Sequence, residues 1–431
     1  MLISFSVTNF RSIKGKQAID MGVATKYHEE KKTSVLKNNF FKTGDETAPK
    51  LLKSSAIYGA NASGKTNLIR AVYSFNHVVM CFEEDRGKRT RGSIIEEYHP
   101  FKLDETSKNK PTEFEIDFIA EGKRYLYGFS YDQTRIHHEF LKGYFDGKEE
   151  LIYDLKLNKK NKLEENFTNH FEGKNEGALD IVKNTENNLF LLLNVNEDGN
   201  KFLNPVHDWI ADKLIIEEDH NNFGQTLRWI NKDKKNKEKA LEVLKNIDVG
   251  IVDFEIETIE REIPKRIVED KDIPDKVKSM MKKGLNARFK TTNGYYLNSN
   301  EISLGIGAAF SLCSVIFPIL ANGGILFFDD LDQRLHPDVL IHFVKMFHNP
   351  KINKGNGQIV FTAHNDILLE KDYEVFRRDQ IWFTSKDEKT QSTELYSLVE
   401  FTTETKKRDN IAQLYRNHYY GARPFLNEFK F

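Results

Sequence analysis

The chain has 431 residues, enough for two or three ordinary domains and a well-buried core. Charged residues make up 30% of it, yet 64 Lys and Arg face 65 Asp and Glu, for a net charge of −1. That balance excludes a basic coat for nucleic acid, so any DNA or RNA contact must rest on a local patch.

In chain order, LISFSVTNF and KQAIDMG alternate like a pair of strands, and the opening residues lack a signal-peptide core. Lys26–Lys53 is polar and reads as a surface insertion. The run SSAI precedes YGANASGKTNL, and KTNLIRAVYSFNHVV has helical spacing. Residues 83–97 form a charged loop. Thr112–Asp154 alternates and is rich in aromatics, predicting a β meander with a turn at Glu-Gly. Between 175 and 285, helices are expected near LNPVHDWIADKL, FGQTLRWINK and KEKALEVLKNI, none with the heptads of a coiled-coil arm. The last third alternates helices and buried strands, the pattern of an α/β core. Its most apolar window, Ala308–Leu320, is too short to span a bilayer. Cys81 and Cys313 make no motif and fit a reduced, cytoplasmic setting.

Two segments carry chemistry. Residues 59–66 read G-x-x-x-x-G-K-[ST], between an apolar strand and a helix. The glycines allow a tight turn whose N–H groups face phosphate oxygens. Lys65 adds a point charge, and the Thr66 hydroxyl is a Mg²⁺ ligand. Such a site needs a carboxylate at the end of a buried strand. GGILFFDDLD supplies Asp329 for the metal and Asp330, one residue on, where a base could orient water.

Further motifs follow in a fixed order: EISLGIGAAFSL before the Asp-rich strand, LDQRLHP after it, then QIVFTAH ending at His364. This set, with the opening VTNFRSI, resembles the ABC-type ATPase head, in the branch of SMC, RecF and OLD-family proteins. The tail, RRDQIWFTSKDEKTQSTELYSL and KRDNIAQLYRNHYYGARPFL, resembles the RloA-like abortive-infection ATPases, the neighbourhood of PARIS-type sensors. The resemblance implies an α/β fold, an ABC-type head with a mixed β lobe, a parallel-sheet P-loop core and a mostly helical middle insertion. It divides the chain at 1–160, 161–295 and 296–431.

It also implies roles. Arg11, Gly59, Asn61, Ser63, Gly64, Lys65, Thr66 and Asn67 would hold ATP. Thr66 and Asp329, with Glu139 in RIHHEF, would stand at the Mg²⁺. Ser303 and Gly305 would form a signature offered to a second subunit's ATP, with Asp332 at the dimer seam. Asp330 and His364 would be catalytic, His364 as the sensor of the γ-phosphate. Two departures point to slow turnover. Asp330 is one methylene shorter than the family's Glu, and an ångström of misplacement costs roughly a hundredfold. The signature SLGIGAAF lacks the usual polar residues after Ser-x-Gly.

An ABC-type head completes its ATP site with a second head, so ATP closes the pair and hydrolysis opens it. OLD nucleases append a Toprim domain, whereas this sequence ends at Phe431, so an effector is expected in trans. The leading expectation is a self-associating defence ATPase that gates a separately encoded effector, a nuclease, in response to phage or DNA, without a membrane partner. The rivals are a RecF-like clamp on DNA and a nucleotide-binding regulator with vestigial hydrolysis.

Overall fold

The computed structural model describes residues 1–24, 35–80, 97–168, 179–180, 182–183, 189–191, 200–218, 220, 222–247, 250–260, 262, 264, 274, 278–279, 282–401 and 410–424. Cys81 and residues 83–96 of the charged loop lie outside them. The chain divides into two units. The first is Met1–Glu218, Ile319–Leu331 and Ile341–Phe431; the second is Asp219–Pro318 and Asp332–Leu340.

The first unit contains two large sheets. β1 (Leu2–Thr8) and β2 (Gln17–Asp20) pair as their alternation requires. They extend an antiparallel sheet of β6 (Thr112–Ala120), β7 (Lys123–Tyr131), β8 (Ile136–Phe145), β9 (Lys148–Leu157) and β10 (Leu163–Phe167), in the order β10-β9-β8-β7-β6-β1-β2. The expected meander is β6–β9. Its turns Glu121-Gly122 and Asp146-Gly147 lie at φ of 47–78°, the left-handed backbone that a two-residue hairpin turn needs.

The second sheet runs β11 (Leu214–Glu217), β15 (Ile325–Phe328), β16 (Gln358–Thr362), β5 (Ser54–Gly59), β17 (Ile381–Lys386), β18 (Thr393–Ser397). All neighbours are parallel except the last pair. β5, β15 and β16 are buried along their whole length, as central parallel strands must be. The two sheets are joined by Gln358, which is fully buried. Its side chain accepts from Leu2 N at 2.6 Å and donates to the Leu2 and Leu52 carbonyls, each at 3.0 Å.

Helix α1 (Lys65–Met80) follows β5 and packs through Phe75. That ring lies 5.8 Å from Phe5, 6.0 Å from Phe114 and 5.5 Å from Phe129. Phe5 in turn meets Phe327 of β15 at 6.4 Å. Each such ring is worth about 1.5–3 kcal/mol of burial, so the helix axis is fixed by its contacts rather than by propensity. α2 (Asn204–Lys213) adds Trp209, stacked on Phe118 at 4.3 Å. The stretch read as a surface insertion is anchored instead. β3 (Phe40–Phe41) and β4 (Leu51–Leu52) form a hairpin, and Asn39, Leu51, Leu52 and Lys53 are buried. Asn39 reaches the Val375 carbonyl at 2.8 Å and Gln380 at 2.7 Å, contacts more than 300 residues away that composition does not reveal.

The second unit holds the expected helices α3 (Phe223–Lys232) and α4 (Lys234–Ile247). It also holds an antiparallel sheet of β12 (Ile251–Glu260), β13 (Lys283–Thr291) and β14 (Tyr296–Asn298) that the sequence reading did not single out. Its core is the triad Phe254, Phe289 and Phe310, with centroids 5.4–5.9 Å apart. Helix α5 (Leu304–Asn322) contains the apolar window. By length and composition it could cross a membrane, contrary to the sequence estimate, yet 61% of its most apolar 18-residue window is buried by the protein itself. A core helix meets the same criterion.

Candidate nucleotide site

The C-terminal edge of the parallel sheet gathers the motifs. β5 ends at Gly59 and opens into the loop that α1 continues, placing the N-terminus of a 16-residue helix at the loop. Ala62 (φ 65°) and Gly64 (φ 111°) take left-handed backbone to make the turn. A Cβ at Gly59 would collide with Thr384, and one at Gly64 with Thr393, so both positions demand glycine. The Lys65 ammonium is buried and donates to the carbonyls of Gly59 at 2.8 Å and Ala60 at 3.3 Å.

Hydroxyl groups from distant segments brace the loop. Thr393 Oγ1 donates to the Ser63 carbonyl at 2.9 Å and pairs with Ser12 Oγ at 2.7 Å. Asn67 Nδ2 donates to the same Ser12 oxygen at 2.7 Å, and Ser63 Oγ pairs with Thr384 Oγ1 at 2.6 Å. Sequence reasoning missed Ser12, Thr384 and Thr393, because a lone hydroxyl in a strand or turn carries no pattern.

Two strands over from the loop, β15 runs straight into Asp329 and Asp330. Asp329 is buried, and its N–H donates to the Glu217 carbonyl at 2.9 Å. Asp330 has φ 51°, an uncommon backbone for a side chain with a Cβ. Its Oδ1 lies 3.2 Å from Nε2 of His364, just past the end of β16. Thr362, the last residue of β16, touches both carboxylates, at 2.6 Å for Asp329 and 3.3 Å for Asp330.

A cavity of about 430 Å³ opens at the loop; Asn61, Lys65, Thr66, Arg70, His364 and Lys386 are among the residues that line it. Arg11 sits on the β1–β2 turn at φ 49°, with its N–H on the His99 carbonyl at 2.6 Å. Burial, and then Arg70, hold its guanidinium below the usual arginine range. Its buried Nε has no hydrogen-bond partner among the described residues. This chemistry fits a polyphosphate with a divalent cation. Lys65, Arg70 and Lys386 bring positive charge, Arg11 keeps an unsatisfied donor, and Thr66 and Asp329 offer hard oxygens.

Glu139 lies elsewhere. It is buried in β8 and accepts from Tyr127 at 3.1 Å, Tyr153 at 2.8 Å, and the N–H groups of Phe190 at 2.6 Å and Leu191 at 3.1 Å. Those four bonds use its acceptor sites, and none comes from the phosphate loop. Burial raises its pKa against the pull of these donors. The neighbouring His137 and His138 are strand residues paired with Asp132 and Asp154.

Ser303, Gly305 and Asp332 belong to the second unit. Ser303 caps α5, its Oγ accepting from Ile306 N at 3.2 Å. A Cβ on Gly305 would stand 3.0 Å from the Arg334 carbonyl, so the helix start meets the loop that follows Asp332.

The fold and site together define an ABC/AAA-type ATPase head. The family model described as "AAA domain, putative AbiEii toxin, Type IV TA system" matches residues 54–370, most of the chain, and the chain belongs to that family. Among solved structures it is similar to an Smc head bound to the C-winged helix domain of ScpA. That match has 13% identity and a TM-score of 0.45, over 93% of this chain and 99% of the other. It is similar also to an Smc head with an extended coiled coil bound to the C-terminal domain of ScpA, derived from Pyrococcus furiosus (14%, TM-score 0.41, 93% and 97%). A third is the recombination mediator RecF with ATP (16%, TM-score 0.36, 92% and 99%). No curated protein matches the sequence.

Proposed function

We propose that this chain binds ATP with Mg²⁺ in the Lys65 cavity, hydrolyses it slowly, and uses ATP-dependent pairing of two heads to gate a separately encoded effector, a nuclease, in anti-phage defence in the cytoplasm. The observation that carries the nucleotide reading is the convergence of the phosphate loop, Asp329, Asp330 and His364 on one sheet edge. Membership of a family described by an abortive-infection toxin supports the defence reading.

In this reading the loop N–H groups, Lys65 and the end of α1 hold the phosphates, with Asn61, Ser63 and Asn67 shaping the loop. Arg11 and Arg70 add charge from the flank. Thr66 and Asp329 would hold Mg²⁺, which would supply charge neutralisation for the phosphates. Asp330 would accept a proton from water and His364 would contact the γ-phosphate. Ser303 and Gly305 would serve a second copy's ATP across a seam that includes Asp332. Slow hydrolysis follows from a short carboxylate on left-handed backbone whose Oδ1 already faces His364.

Pull-down of the tagged chain from its native locus with ATP and Mg²⁺, against Lys65→Ala, tests this. A stoichiometric second protein lost in the variant is expected, with turnover of the purified chain below about 1 s⁻¹, the low end of ordinary enzymes. DNA retained alone, or turnover of several per second, would overturn it.

A further inference from the structure

Thr362 is the last residue of β16, fully buried, and placed between the two acidic side chains. A threonine hydroxyl has one proton to give and lone pairs to receive. The Asp330 N–H donates to Thr362 Oγ1 at 2.7 Å. The proton of Oγ1 then faces Asp329 Oδ1 at 2.6 Å, a strong hydroxyl–carboxylate distance, with Asp330 Oδ1 at 3.3 Å a poorer acceptor. The Thr362 carbonyl also accepts from Leu331 N at 3.1 Å. One residue thus holds three consecutive positions of the turn after β15. The Thr362 hydroxyl thus occupies one of the two Asp329 carboxylate oxygens, Oδ1.

We infer that Thr362 is a positioning residue. Its hydroxyl fixes the orientation of the Asp329 carboxylate that would hold a divalent cation, and it holds Asp330 in the left-handed backbone that presents its carboxylate to His364. This rests on the nucleotide reading above and adds the residue that sets the metal ligand's geometry. A methyl in place of the hydroxyl frees the Asp329 rotamer and removes the partner of the Asp330 N–H in a partly buried place. Loss of such outer contacts typically weakens metal affinity by about 10–100-fold.

The test is titration of the full chain with a fluorescent ATP analogue, in Mg²⁺ and in EDTA, for wild type, Thr362→Val and Thr362→Ser. Wild type should bind more tightly with Mg²⁺. Thr362→Val should lose about tenfold or more of that advantage, while its affinity in EDTA matches wild type, which also shows that it is folded. Thr362→Ser should keep the advantage. Should Val fail to fold, Thr362→Ala is expected to give the same loss. A Val or Ala variant with a wild-type Mg²⁺ advantage overturns the role of Thr362. A wild type that binds no nucleotide, or binds it without regard to Mg²⁺, overturns the underlying site instead.

Discussion

His348 shows what a single residue outside the nucleotide cavity does for this molecule. It is buried at the end of α6 (Pro337–His348), with Nε2 2.7 Å from Ser54 Oγ at the start of the phosphate-loop strand. Burial, then Lys53 and Lys345, push its pKa down to about 3. The unfolded chain protonates this ring near pH 6.5, so its contribution is whole above that value and declines as pH falls toward 3. Between pH 7 and pH 5 the loss should be about 2 kcal/mol. Urea unfolding at the two values should show a drop smaller by that amount in His348→Gln; an equal drop would remove His348 from the acid limb. At this scale, what was legible in the sequence was what carries its own spacing. Lys65 and Thr66 announce themselves through glycines, Asp329 through the apolar run before it, and His364 through its strand. Thr362 and Thr393 were not legible, since their partners lie 32 and 330 positions away in sequence. Glu139 was misleading because a carboxylate in an alternating strand reads the same whether it meets a metal or four hydrogen-bond donors.

Among the elements, the tail separates packing from display. Tyr420 is buried, 4.9 Å from Phe383 of β17, and Tyr415 of α7 (Ile411–Arg416) meets Tyr58 of β5 at 5.8 Å. Arg416 is exposed and forks to Asp366 at 2.6 Å and Glu370 at 2.6 Å, just beyond His364, while Arg423 donates to the Arg416 carbonyl at 2.8 Å. Tyr419, by contrast with Tyr415 and Tyr420, is exposed. Tyr420→Ala should cost about 3–5 kcal/mol, as for other buried aromatics. Arg416→Ala should cost less than about 1 kcal/mol, because a solvated ion pair is worth little. Denaturant midpoints would separate the two, and equal costs would refute the assignment. Element types were legible where the period was strong, as in the meander and in α2–α4. The sheet β12–β14 is poorly legible although IVDFEIETIE alternates, because the Asp and Glu between its apolar residues weaken the strand signal within a stretch that reads as mixed and mostly helical.

At the scale of the whole molecule, the family match ends at residue 370, yet the phosphate loop does not. Thr384 and Thr393 face Gly59 and Gly64 from β17 and β18, and Ser12 approaches from the β1–β2 turn. A fragment of residues 54–370 should therefore bind no ATP analogue under conditions where the full chain does, read by fluorescence titration; full affinity in the fragment would show that this roof is dispensable. The order of strands also sets a timetable. β5 lies between β16 and β17, which leave the ribosome about 300 residues after it. At about 5–20 residues per second, that is a wait of roughly 15–60 s with both edges of a strand destined for full burial left bare. The segment that defines the protein is among the first made and among the last to be finished, so the capacity to hold nucleotide certifies that synthesis has reached the tail.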